Sequence, residues 1–173
     1  TTVRSHRVKF VEWELLRHES CLTFKHRNLG AVNIRQTKGD SMEYPVNKSE
    51  EQWREELSEF EYHVLREAGT ERAYTGELLE EGRVGTFSCK GCGAELFKSH
   101  SKFDSHCGWP SFYEPKAGDA VELIEDRSHG MLRTEVRCSA CGCHLGHVFE
   151  DAPQTPTGDR YCINSVSITF SAE

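Results

Sequence analysis

The sequence predicts a mainly β domain preceded by a few short helices, and three observations carry that prediction. From Thr86 onward apolar and polar residues alternate in short runs broken by Gly, Pro, Asp and Ser, the pattern of antiparallel strands joined by irregular loops. Upstream, Ser49 is answered by Gln52 and Ser58 by Glu61, and a Ser followed three positions later by Gln or Glu marks a helix start. Finally, four of the eight cysteines fall into two CxxC turns, a spacing that clips distant segments of a small domain together.

Two short helices are therefore expected to begin after Ser49 and Ser58, with Gly69 as the stop of the second. The clearest strands are Met131 to Arg137 and Arg160 to Phe170. Side chains alternate faces along a strand, so the second would place Arg160, Cys162, Asn164, Val166, Ile168 and Phe170 on one side, polar at its start and apolar beyond. A cysteine between an Arg and an Asn at the margin of an apolar face suits a reactive thiol at the rim of a core.

A chain of 173 residues fits one domain, and its net charge of -7 argues against a phosphate-rich partner such as nucleic acid. Residues 1–41 hold eight Lys/Arg against four acids, and the remainder 13 against 24, so the acidic character lies in residues 42–173. We expect residues 42–173 to form a single domain and assign no role to the extension 1–41. No run of about 18 apolar residues marks a membrane span, and no signal-peptide pattern opens the chain, so a cytoplasmic protein is expected, and a monomer because no obligate interface is marked.

In a reducing compartment cysteines serve as metal ligands or redox groups more often than as structural bridges. Cys89 and Cys92 form CKGC, Cys138 and Cys141 form CSAC, and each turn is followed by a glycine, Gly93 or Gly142. Four thiolates close a tetrahedron around Zn2+, and four protein ligands leave no position open for water, so the metal is expected to be structural. Cys143, beside the second turn, reads as a bystander thiol.

Of the other cysteines, Cys107 lies in HCGWPSF, where Gly108 and Pro110 demand a turn, and Cys162 lies in RYCIN. A nucleophilic cysteine needs a favoured thiolate and access to substrate. Arg160 is two positions from Cys162, and His144 and His147, in CHLGHVF, offer imidazoles as proton donors. Taken singly, Cys162 reads equally well as an inert core thiol, and either histidine as a half-buried side chain with no part in chemistry.

The segments CKGCGAELF, KFDSHCGWPSF, EDRSHGMLRTEVRCSACGCHLGHVF and GDRYCINSVSITF resemble, in order, the signature blocks of the B-type methionine sulfoxide reductases. The resemblance runs from about Glu50 to the C-terminus. It implies two antiparallel sheets with peripheral helices, the Mss4-like fold, and zinc held by the paired CxxC turns. It further implies that Cys162 is the nucleophile, that Trp109 receives the sulfoxide methyl group, and that His144, His147 and Asn164 line the site. Cys107 stands where some members carry the thiol that resolves the intermediate, and thioredoxin is the implied reductant. Oxidised proteins carrying methionine-R-sulfoxide are the implied substrates. Arg160 is expected to support the Cys162 thiolate.

Two other readings compete. Paired CxxC turns occur in zinc-ribbon adaptors, which usually present a basic, aromatic surface, whereas the matched region is acidic. A structural protein using its thiols only as sensors is the second, and catalytic consumption of methionine sulfoxide with dithiothreitol separates both from an enzyme.

Overall fold

The computed structural model describes residues 43–173; the extension 1–41, Met42 and Cys21 lie outside them. Both capping boxes form. Ser49 opens α1 (Glu50–Glu56) and Ser58 opens α2 (Glu59–Glu67), each serine accepting from the backbone three residues on while Gln52 or Glu61 reaches back. The second helix closes one residue before the predicted stop: Ala68 takes the left-handed conformation at φ 55°. Gly69 instead lies where a Cβ would meet the His63 ring at 2.5 Å. Trp53, Tyr62, Val64 and Leu65 turn inward, and the helices rest on the edge of the core.

Among the described residues, nine strands make two antiparallel sheets, as the resemblance implied. The smaller joins β2 (Glu95–Lys98), β1 (Gly85–Cys89) and β9 (Ile168–Ala172) in that order. The larger runs β3 (Lys102–Phe103), β4 (Ser111–Phe112), β8 (Gly158–Ile163), β7 (His144–Ala152), β6 (Arg133–Cys138) and β5 (Val121–Asp126). Between them lies an aromatic core. Phe97 of β2 stacks on Phe112 of β4 at 4.4 Å, and Phe87 of β1 meets the same ring edge-on at 5.0 Å. Tyr161 of β8 completes the group, 5.9 Å from Phe97. No helix among the described residues is long and apolar enough to cross a membrane.

The strand expected at Met131–Arg137 is present as β6, but the one expected at Arg160–Phe170 is two. After Ile163 the chain leaves the larger sheet, makes one 3-10 turn over Ser165–Ser167, and enters the smaller sheet as β9. The break is made by a residue far away in sequence. The Glu71 carboxylate accepts from the N–H groups of Ser165 at 2.6 Å and Val166 at 3.0 Å, satisfying backbone donors that a continuing strand would have paired in a ladder. Two-residue alternation therefore fails beyond Ile163, and Asn164 belongs to the turn.

Phe112 is fully buried between the sheets and immediately follows Ser111, the strand partner of Cys162. Phe112→Ala is expected to cost about 3 to 5 kcal/mol, as large-to-small changes at aromatic core positions do. Equilibrium denaturation checks this, with a loss under about 1 kcal/mol contradicting the packing described.

Candidate functional site

Strand β8 carries Cys162 between β4 and β7, and the register fixes its neighbours. Ser111 of β4 lies opposite Cys162 on one side and His147 of β7 on the other, so these three residues form one row across the sheet. β7 approaches β8 so closely that a Cβ on Gly146 would lie 2.0 Å from the Cys162 carbonyl oxygen. Only glycine fits there without displacing the strand that bears the thiol.

The CGWP turn between β3 and β4 folds back over this row. It brings the Cys107 sulfur to 3.6 Å from that of Cys162. Ser105 donates its hydroxyl to the Cys107 sulfur at 3.0 Å, and the Ser111 hydroxyl lies 3.4 Å from it. Two thiols this close titrate as a pair. The hydrogen bond from Cys162, helped by those of Ser105 and Ser111 and opposed by burial, brings Cys107 down to about 4. Cys162 is pushed up, first by its hydrogen bond to Cys107 and then by burial, with Arg160 acting the other way. Of the two, Cys107 is the one favoured as the thiolate.

Trp109 leaves the same turn and its indole N–H donates to the Glu71 carbonyl at 3.1 Å, which fixes the ring plane. Trp109, Cys162, His147, Phe149, Arg133, Thr70, Gly146 and Asn164 line one small pocket of about 130 Å³. Asn164 is buried, and its amide is spent on the scaffold: it donates to the Leu145 carbonyl at 3.1 Å and accepts from the Glu71 N–H at 3.1 Å. Arg160 is gripped by Asp151 through two hydrogen bonds of 2.9 and 2.7 Å and lies over the Phe149 ring, which holds its charge beside Cys162.

His144 and His147 are an odd number of residues apart and would face opposite ways on a regular strand. A bulge in the β6–β7 pairing at Val136/Arg137 shifts the register, and the two rings meet at 5.6 Å. Each is oriented by a carboxylate. His144 Nδ1 contacts Glu135 at 2.7 Å, and His147 Nε2 contacts Asp126 at 2.8 Å. Burial works against ionised Glu135, yet the His144 and Arg137 hydrogen bonds hold its carboxyl below the ordinary range. Burial likewise opposes ionised Asp126, but Ser128, His147 and Arg133 together hold its carboxyl well below that range. Burial lowers His147, partly offset by Asp126.

Away from this pocket, the sulfurs of Cys89, Cys92, Cys138 and Cys141 all lie within 4.8 Å of one another. The Cys89–Cys141 and Cys92–Cys138 separations are 3.7 and 3.6 Å. A tetrahedral site with metal–sulfur bonds of about 2.3 Å has edges of about 3.8 Å, so the thiols fit such an ion. The two turns match bond for bond: Gly93 N–H donates to the Cys89 carbonyl and Gly142 N–H to that of Cys138, both at 2.8 Å, with each glycine at positive φ. Cys89 ends β1 and Cys138 ends β6, so a metal here staples one sheet to the other. Cys143 is a further thiol, buried beside the turns and outside that set.

A family model described as "SelR domain" matches residues 57–172. Curated relatives carry the name peptide methionine sulfoxide reductase MsrB. That of Leifsonia xyli is 61% identical over 131 residues, covering 76% of this chain and 94% of the relative. The relative from Leptospira interrogans is 54% identical over 132 residues, covering 76% and 100%, and that of Methanosarcina barkeri is 56% identical over 128, covering 74% and 89%. The chain belongs to the family of B-type methionine sulfoxide reductases.

In this B-type reductase the structure gathers Cys162, Trp109, His147 and Asn164 around one pocket, with Cys107 3.6 Å from the Cys162 sulfur and His144 and Arg160 adjoining. Four further residues were not singled out from the sequence: Asp126, Glu135 and Arg133, which orient or charge the histidines, and Glu71, which ties Trp109 to Asn164. The RTEVR run, with charged residues at alternate positions of a strand, was the available signal for Glu135 and Arg133. Nothing local marks Glu71 or Asp126.

His147 is expected to titrate below about 6.5 because burial disfavours its cation. Asp126→Asn removes the charge that partly offsets burial, so the imidazole value should fall further. NMR titration of His147 in both proteins tests this, and an upward shift in the variant would contradict the assigned balance.

Proposed function

We propose that this reductase repairs methionine-R-sulfoxide in proteins through a sulfenic acid on Cys162, resolved by Cys107 to a disulfide that thioredoxin reduces. The observation that carries the reading is the 3.6 Å approach of the two sulfurs at a pocket walled by Trp109 and His147. Cys162 becomes a thiolate by passing its proton to Cys107, with the Arg160 charge beside it. The thiolate attacks the sulfoxide sulfur, and protonated His147 gives a proton to the sulfoxide oxygen. The oxygen moves to Cys162, methionine leaves reduced by two electrons, and Cys162 is left as a sulfenic acid.

Cys107 gives up the proton it took from Cys162, its thiolate favoured by Ser105 and Ser111, and attacks the Cys162 sulfur. A sulfur–sulfur bond forms, the sulfur–oxygen bond breaks, and hydroxide takes up a proton and leaves as water. A dithiol such as thioredoxin returns both cysteines to thiols by exchange. Trp109 offers the sulfoxide methyl an apolar, polarisable face, and the mirror epimer would place its oxygen there instead. Asn164 holds the pocket wall, because both ends of its amide are committed to backbone. Two cysteines that must both return to thiols after each turnover suit a reducing, cytoplasmic setting.

Zinc is the ion proposed for the four thiolates, on the softness of sulfur and the absence of an open position. When bound it supplies folding energy, with no part in the reaction. Cys89→Ser or Cys138→Ser should lose the metal and melt about 10 °C lower or more, since several kcal/mol of metal-linked stability shift melting by a few degrees each. Metal analysis and calorimetry check this, and unchanged melting without metal would refute the structural role.

An assay on peptides carrying each sulfoxide epimer tests the function. The intact chain should consume the R form and leave the S form, and Cys162→Ser should consume neither. Cys107→Ser should release one methionine per molecule and then stall with thioredoxin. Steady thioredoxin-driven cycling by that variant would move the resolving role to Cys143 or Cys21.

A further inference from the structure

Cys107 lies between two backbone positions of unusual conformation, His106 at φ 55° and Gly108 at φ 92°. One residue holds the carbonyls of both. Tyr74, in the connection between α2 and β1, donates its backbone N–H to the Gly108 carbonyl at 2.8 Å and its hydroxyl to the His106 carbonyl at 2.7 Å. Tyr74 is itself at φ 65°, a conformation an L side chain adopts only when its surroundings enforce it. Its side chain is 68% exposed, so burial of the ring does not account for a Tyr at this place. What the side chain does is grip the backbone beside Cys107, with the Asp104 carboxylate holding the His106 N–H at 2.9 Å from the other side.

We propose that Tyr74 is the positioning residue for the resolving step, a role that rests on Cys107 being the resolving thiol. In that step the Cys107 thiolate attacks the sulfur of the Cys162 sulfenic acid, forming the sulfur–sulfur bond as hydroxide leaves and is protonated to water. The two sulfurs must close from 3.6 Å to a bond of about 2.05 Å, so the turn carrying Cys107 has to move toward β8. A turn whose carbonyls are pinned on both sides of the cysteine reaches that geometry from few starting conformations, which raises the rate of an intramolecular attack. Attack on the sulfoxide uses the Cys162 sulfur on rigid β8 and asks of Cys107 only that it hold a proton, which needs no bond-forming alignment. Trp109 of the same turn is held separately by the Glu71 carbonyl, so the tie bears on the second step.

Tyr74→Phe removes the hydroxyl alone and keeps the ring and the backbone N–H. Quenched-flow experiments with a stoichiometric methionine-R-sulfoxide peptide would follow methionine release and dimedone-trappable sulfenic acid in the same samples, with melting recorded separately. Methionine release and melting should be unchanged, and disulfide formation should slow about two- to tenfold, the range that one neutral hydrogen bond carries. Tyr74→Ala should slow disulfide formation at least as much. Equal slowing of both steps, or of neither, would overturn the role. Cys107→Ser, run in parallel, should accumulate the sulfenic acid. If it does so while Tyr74→Phe resolves at the native rate, the Tyr74 proposal alone fails; if it does not accumulate, the assignment of Cys107 fails and the proposal with it.

Discussion

Close approach of β7 and β8 at Gly146 is the constraint on which the site depends. With no side chain at that position, the two strands hydrogen-bond in a register that sets His147 directly opposite Cys162, while β4 sets Ser111 on the other flank. From Ser111 the chain turns back through Trp109 and Cys107 onto the same row. A sulfur, an imidazole, an indole and a second sulfur are thus brought together by strand pairing, whose geometry is fixed by the backbone and costs no side-chain freedom.

The surrounding interactions keep that row aligned. Glu71 is the chief of them: its carbonyl takes the Trp109 indole N–H, its N–H is taken by Asn164, and its carboxylate ends β8 by capturing the next turn. Burial pushes the Glu71 carboxyl up, and the two backbone N–H groups offset this. A metal ion held by the four clustered cysteines would join the ends of β1 and β6, and so the two sheets, at a second place. Strand β8 leads through the turn held by Glu71 into β9 in the opposite sheet, so the two layers are joined there by the chain itself.

Much of this was legible in the sequence because its causes are local. A capping box is a contact between residues three apart, and a CxxC turn is a contact among residues within one loop, so both helices and the four cysteines that cluster could be read directly. Cys162, Cys107 and Trp109 were reached through ordered blocks of sequence, and their meeting in space required strand pairings that no short segment encodes. The chain from Arg160 to Phe170 misled for the same reason. Its apolar and polar residues alternate without a Gly or Pro, and the break at Ser165–Ser167 is imposed by Glu71, more than ninety residues upstream. The left-handed residue that ends α2 is Ala68, one before the glycine, whose missing Cβ instead leaves room for the His63 ring. The bulge that turns His144 toward His147 arises from the pairing with β6, which neither histidine's neighbourhood reveals.

Mass-spectrometric mapping of the disulfide left after one equivalent of methionine-R-sulfoxide peptide is consumed, with free thiols alkylated at quench, tests the central claim most directly. The account predicts a single bond joining Cys107 to Cys162, with Cys143 reduced and the four clustered cysteines still holding metal. A bond that pairs Cys162 with Cys143, or that falls within either CxxC turn, would contradict it.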